Sequence, residues 1–394
     1  IRRRWIMIRL PSPELSLEEK DRRWNLLRET LKKAGISALL VYGGSQLGVP
    51  VHYLTRVWGT RMNMVIFPVE GEPEFLIPSN SGQSPEKTAA RGCWISRENI
   101  HLSPNLAVDA ASHVKNLKLE KTRIGIDSFR WWPVLDYQVF AGLCPGVEVV
   151  ECHRLFGEIR GPKSEEELVV MHKAIEISDL AHLTFLRNLK PGMTEAEAAQ
   201  TAMDVLDEND IGDRIILIHS QPEATYPNRP GRNIIQKPNP VTFSPEFTRN
   251  AGYGAQMIRA YWWEKPRGDY EKMFRLWAEM RQMVIKEFRP GVEITDAGKK
   301  IEVLVAEYGF ECDKLGHAVG LSYGDAPYIT AGPHEKDFME WTILANEVYA
   351  VHPMVRCPGY VAPFSMIGDM YFIGKDRTTW MTTTLPGLPE YIPG

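Results

Sequence analysis

The chain has 394 residues, of which 44% are hydrophobic and 24% charged, and its formal net charge is −4. That length accommodates two domains, and the composition is that of a globular chain rather than a disordered one. A slightly acidic balance supplies no basic face for nucleic acid, and no run approaches the ~20 apolar residues that span a bilayer, so small molecules or peptides are the expected partners.

In chain order, residues 22–43 (RRWNLLRETLKKAGISALLVYG) place Leu26, Leu27 and Leu31 on one face of a helix that Gly35 stops, and the strand ISALLVY follows at once. The strand candidates MNMVIFPV, PEFLIP and RIGID then alternate with helical segments such as LAVDAASHVKNL, the pattern of a small α/β domain. A Gly-Pro break at Gly161 and Pro162 precedes Ser164 and Glu167, spaced as a capping box that opens a helix. The expected division is therefore an N-terminal domain over residues 1–160 and a C-terminal domain over 161–394.

Beyond the break, LKPGMTEAEAA and FRPGVEITDAG echo one another. Each follows a helical segment with Pro-Gly and places Thr194 or Thr295 where it can cap the next helix. Either the C-terminal domain has two related halves, or Pro-Gly-x-x-Thr is simply a common helix joint. The runs NPVTFSPEF, YGAQMIRAYWWE, NEVYAVHPMV and DMYFIG read as strands, which makes the chain as a whole α+β.

The order of these pieces carries a resemblance: Tyr53-Leu-Thr, KSEEE, PGMTE, a Gly-Tyr before a strand, GHAVG at 316–320 and a late Pro-Gly. Together they resemble the creatinase, prolidase and aminopeptidase P family over nearly the whole chain. The resemblance implies a C-terminal domain of the pita-bread type, a smaller N-terminal domain and a homodimer. It also implies a two-metal centre held by two Asp, one His and two Glu, since such ions need several anionic oxygens to lower the pKa of a bridging water. Matched position by position, the first Asp falls on Ser244 or a neighbour and the second on Gln256; the His is kept as His317, while the two Glu become His352 and Gly368. With one ligand of five retained, no metal and no cofactor is expected; the rival reading is a single ion on His317, His352, Asp325 or Asp369. Creatinase, which resembles this chain and works without metal, uses two Glu and a His; those positions hold Ile258, His352 and the segment Tyr226 to Asn228.

Candidate catalytic residues follow. His352 stands in place of a family carboxylate and His317 keeps the family's active-site place, and imidazoles are suited to acid–base work near neutrality. Asp325 is placed to orient either His or to make a turn, and Tyr226 lies in the long polar segment 218–240, of a length that is commonly functional. Candidate substrate contacts are Arg259 and Arg356 as anion clamps, Arg232 in the same long segment 218–240, Trp262 as an apolar wall, and Trp58 and Arg61 reaching over a partner subunit's pocket, as the resemblance implies. Each has a structural alternative, Arg259 as an ion-pair partner and Trp262 as core. The expected activity is metal-independent and creatinase-like, with His-based acid–base catalysis on a small organic substrate, C–N hydrolysis or lyase chemistry. The alternatives are a catalytically silent peptide- or protein-binding pita-bread domain and an Xaa-Pro-type metallopeptidase. The five Cys show no C-x-x-C spacing, and Arg9 and Pro11 break the opening IRRRWIMIRL before an apolar signal core can form, so a cytoplasmic protein is expected.

Overall fold

A computed structural model describes residues 14–44, 49–58, 61–130, 132–209, 211–221, 228–237, 239–249, 252–322, 324–330, 341–356, 367–384 and 390–391. They form two compact units, one from Glu14 to Arg160 and one from Gly161 onward.

The first unit runs α1 (Leu17–Lys33), β1 (Ala38–Gly43), α2 (Val49–Thr55), β2 (Asn63–Pro68), β3 (Glu74–Pro78), α3 (Pro85–Ala90), β4 (Ile100–Ser103), α4 (Leu106–Asn116), β5 (Arg123–Ile126), α5 (Val134–Leu143), β6 (Glu148–Glu151) and α6 (His153–Arg160). Its mixed sheet has the order β4-β3-β2-β1-β5-β6, with β1 antiparallel to β2 and parallel to β5. Every residue of β1 and β2 is buried, which is why these stretches read as unbroken apolar runs rather than alternating ones. Helix α1 starts at Leu17, where the Ser16 hydroxyl accepts the Glu19 amide at 3.1 Å. Its buried face is Trp24, Leu27 and Leu31, whereas Leu26 is 37% exposed; the spacing of three and four residues selects one side of the helix, and Leu26 lies about 100° from Leu27.

The second unit runs α7 (Glu165–Asn188), α8 (Glu195–Glu208), β7 (Ile211–His219), β8 (Val241–Arg249), β9 (Gly254–Gln256), β10 (Arg259–Trp262), α9 (Asp269–Glu287), α10 (Ile294–Glu307), β11 (Glu311–Asp313), β12 (Gly316–Ala318), β13 (Asp325–Ile329), β14 (Glu347–Val351), β15 (Met354–Arg356), β16 (Asp369–Ile373), β17 (Thr378–Trp380) and β18 (Glu390–Tyr391). Ser164 and Glu167 form the capping box of α7, with amide-to-side-chain bonds of 3.2 and 2.6 Å. One sheet has the order β18-β10-β8-β7 with β9 paired to β8, a second β13-β12-β14-β16-β17, and β11 pairs with β15 in a two-stranded third.

The sequence echo is structural. Gly192 and Gly291 take φ of +89° and +88°, a conformation that costs glycine least, and their amides donate to Ile235 and Ile343 at 2.8 and 2.9 Å. The return bonds from the Ile235 and Ile343 amides to Met193 and Val292 are both 2.8 Å. This superposition of bonding patterns pairs Thr194 with Glu293, not with Thr295. Thr194 caps α8 in a capping box, but α10 is entered from Glu293, which makes no capping bond and accepts the Thr342 hydroxyl at 2.7 Å instead. Thr295 therefore does not cap the helix, because α10 begins one residue before it. The two halves meet where Ile258 and Gly368 exchange amide bonds of 3.2 and 3.0 Å, and the Gly254 amide reaches the Gly320 carbonyl at 3.0 Å.

Candidate active site

Register brings the two histidines together. β12 and β14 are antiparallel with His317 opposite Ala350, so His352, two residues further along, points to the same face on the diagonal. The His352 amide continues the pairing by donating to Leu315 at 3.1 Å. With only a methyl group at Ala350 between them, the rings meet Nε2 to Nε2 at 3.1 Å, inclined at 67°. The tautomers follow from the partners: His317 Nδ1 lies 2.9 Å from the Ala318 carbonyl, which can only accept, so Nδ1 carries the proton and Nε2 holds a lone pair. His352 Nε2–H is then the donor to the His317 Nε2 lone pair across the contact.

Both rings are partly exposed, yet both resist protonation. Burial, and then the neighbouring His317, push His352 down to about 3. Burial also lowers His317, opposed by the Ala318 carbonyl and the charge of Asp325. At neutral pH the pair is therefore two neutral imidazoles.

Gly368 completes the wall behind His352. A Cβ at that position would stand 2.9 Å from the His352 Cβ and 3.0 Å from Ile258, so a side chain there and the His352 ring compete for one space. Next along the chain, Asp369 is fully buried and accepts from Arg259 at 2.9 Å, Arg281 at 2.7 Å and Thr382 at 2.8 Å. Burial alone would raise its carboxyl, but the two guanidinium groups hold it below the usual range. Arg259 also donates to the carbonyls of Ile258 and Gly368, both at 2.8 Å, clamping the bridge on which His352 rests.

In the β18-β10-β8-β7 sheet lies a residue that the sequence reading passed over. Glu246 on β8 shares a strand face with Ser244, two residues before it, and stands opposite Gln256 on β9. The Ser244 hydroxyl donates to Glu246 at 3.2 Å. Burial raises the Glu246 carboxyl to about 7, against the lowering effect of Ser244 and Gln256. Among the described residues, the buried Gln256 Oε1 has no partner. The overlooked signal was a lone acid inside the apolar run VTFSPEFT, at the spacing that turns it to the Ser244 side.

The other candidates are placed as follows. Asp325 opens β13, its carboxylate accepts the Ala326 amide at 3.0 Å, and it acts on His317 through its charge. Trp262 is 3% exposed and packs edge-on against Tyr270 and Phe274, so it is core and not a pocket wall. Tyr261 is buried as well, its hydroxyl 2.7 Å from His182. Strand alternation would have turned only one of this pair inward; both are covered because β10 packs against a helix on each face. Arg259 is an ion-pair partner, with its side chain 1% exposed. Arg356 is exposed and lies 3.6 Å from Glu311 across β11–β15, and Arg232 is exposed on the segment before β8. In the N-terminal unit Trp58 stacks on His52 with ring centroids 4.3 Å apart, and Arg61 lines a cavity of about 570 Å³ with Ser103, Asn105 and Asp136. Tyr226 lies outside the described residues.

The model of metallopeptidase family M24 matches residues 170–375, and that of the creatinase/prolidase N-terminal domain matches residues 23–161. The chain belongs to metallopeptidase family M24. The probable dipeptidase PepE of Mycobacterium tuberculosis is 22% identical over 88% of this chain and 91% of its own length. An Xaa-Pro dipeptidase of Lactobacillus delbrueckii subsp. lactis is 24% identical over 51% of this chain and 55% of its own. Among solved structures, dipeptidase PepE from Mycobacterium ulcerans superposes with a TM-score of 0.77 at 18% identity, covering 97% of this chain and 100% of its own. The prolidase from Pyrococcus horikoshii OT3 gives 0.74 at 18% identity, covering 93% and 98%. The pita-bread fold of this M24 chain is thus established.

The donor set does not fit the family's two ions. Ser244, Gln256 and Gly368 offer no anion, and Asp369 is held by two Arg. Among the described residues of the C-terminal unit, no three ligating atoms come within 4.8 Å of one another.

Proposed function

We propose that this M24 protein is a metal-independent enzyme acting on a small organic substrate by acid–base catalysis, with C–N hydrolysis favoured and elimination as the related possibility. The observation that carries the reading is the 3.1 Å contact between His317 and His352, two neutral imidazoles on the face where relatives of the family are expected to hold metal. In hydrolysis, an imidazole lone pair takes a proton from water as its oxygen bonds to the carbon. The leaving nitrogen receives a proton as the C–N bond breaks. Glu246, poised at about 7, is the candidate donor, since near neutrality it is populated in both forms. In elimination, the same imidazole takes a proton from carbon, the C–H electron pair becomes the double bond, and the C–N bond on the adjacent carbon breaks with its pair leaving on nitrogen.

The family membership and the dipeptidase names of its relatives favour a second reading, cleavage of Xaa-Pro dipeptides with added metal. The two separate in one experiment: protein treated with EDTA is assayed against small amides, guanidino compounds, onium acids and Xaa-Pro dipeptides, then again with Mn²⁺, Co²⁺ or Zn²⁺. Turnover of a small molecule in EDTA, lowered roughly 10²–10⁴-fold by His352→Ala, supports the acid–base reading. Activity confined to Xaa-Pro dipeptides and dependent on added metal replaces it. The same reading includes a cytoplasmic homodimer in which Trp58 and Arg61 cap the partner's pocket; a monomer with full activity in sedimentation would exclude the cap.

A further inference from the structure

A second cluster lies in the N-terminal unit, on the edge strand of its sheet. Glu74 opens β3, His101 is the second residue of β4, and His113 sits in the last turns of α4. The parallel register sets Leu76 opposite His101, and Leu76 faces the core with Ala107, Ala110, Ala111 and Val114 of α4. Glu74, two residues before Leu76, shares that face, so strand alternation turns its carboxylate toward α4. His101 emerges beside it at the open edge, and His113 comes down from the flank of the helix.

We propose that Glu74, His101 and His113 form a binding site for a divalent transition-metal ion, best suited to Zn²⁺, outside the pita-bread domain. Three observations carry it. His101 Nε2 and His113 Nδ1 both converge on the same atom, Glu74 Oε2, at 2.6 and 3.8 Å. The second distance is too long for a hydrogen bond, so the arrangement has room that one proton does not fill. All three ligating atoms lie within 4.8 Å of one another, and parting the 2.6 Å hydrogen bond of His101 to Glu74 by under 1 Å gives the roughly 3.3–3.5 Å between ligands of a tetrahedral ion with bonds near 2.0–2.1 Å.

The chemistry and the access agree. Two imidazoles and one carboxylate make a borderline N/O set that prefers zinc to magnesium or calcium, and a His₂Glu set leaves a fourth position for water. The side chains are 36%, 17% and 20% exposed for His101, Glu74 and His113, so an ion can enter without opening the core. An ion held there would tie β4 to β3 and α4, fastening an edge that is otherwise held on one side only.

The test uses the whole chain, dialysed against EDTA, titrated with ZnCl₂ by calorimetry, and crystallised with zinc for anomalous diffraction at the zinc edge. The expected result is one saturable site, an anomalous peak between the three side chains, and at least about 100-fold weaker binding in His101→Ala and in His113→Ala, since even outer-shell losses cost 10–100-fold. A peak elsewhere, or wild-type affinity matched by the His101→Ala, His113→Ala double variant, overturns the proposal. The diffraction result stands on wild-type protein, so a variant that folds poorly does not shield the site from refutation.

Discussion

Replacing His352 by Gln gives the most direct measure of how the site is built, because it needs no substrate. Gln keeps an N–H where His352 Nε2 donates to His317 Nε2 at 3.1 Å, but cannot titrate. In the folded wild type His352 is held down to about 3 by burial and by His317, against ~6.5 in an unfolded chain. A depressed folded pKa means that the native state binds fewer protons than the unfolded state. Its stabilising contribution is therefore complete above ~6.5 and is lost as pH falls from there toward 3. Between pH 7.5 and 4.5 the lost contribution spans about two pKa units, or roughly 2.7 kcal/mol, reduced to about 2 kcal/mol for the ring's partial exposure. Urea unfolding of wild type and His352→Gln at both pH values measures it: the variant's deficit at pH 7.5 should shrink, or reverse, by about 2 kcal/mol at pH 4.5. An identical difference at the two pH values would show that His352 titrates normally, and the picture of two neutral, mutually enclosed imidazoles would have to be withdrawn.

Glu246→Gln tests the opposite sign. The folded carboxyl is raised from 4.5 to about 7, so its contribution is present below ~4.5 and lost as pH rises through 7; between pH 4 and 8 the variant should gain on the order of 3 kcal/mol relative to wild type, and a flat difference in urea melts would refute the shift. With a substrate in hand, the same variant should lose the limb of the pH–rate profile near 7. Asp369→Asn leaves Arg259 and Arg281 without their anion and should cost about 3–5 kcal/mol; thermal unfolding within 1 kcal/mol of wild type would mean that the network is relaxed by water. Gly368→Ala inserts a Cβ at 2.9 Å from His352 and should destabilise by about 1–3 kcal/mol while shifting the His352 imidazole resonances in NMR; unchanged resonances would place the strain elsewhere.

Local pattern determined much of this protein. The helix-strand alternation of the first unit, the capping boxes at Ser164 and Thr194, and the order of motifs that led to the family are properties of neighbouring residues, because turns, caps and amphipathic faces are set within a few positions of the chain. The paired Pro-Gly turns were visible as an echo, but which residue follows them into the helix was not: Thr295 looked like a cap, while the exchange of amides with Ile343 fixes Glu293 as the equivalent of Thr194. Tertiary structure alone decided the rest. His317 and His352 are 35 residues apart, and their contact depends on the register of β12 against β14 and on the small side chain of Ala350. Arg259 could have been a clamp until Asp369, 110 residues on, took its guanidinium into the core. Glu246 and Gln256 acquired meaning only when β8 and β9 faced them together away from water, since a carboxyl's pKa is a property of its surroundings and not of its place in the chain.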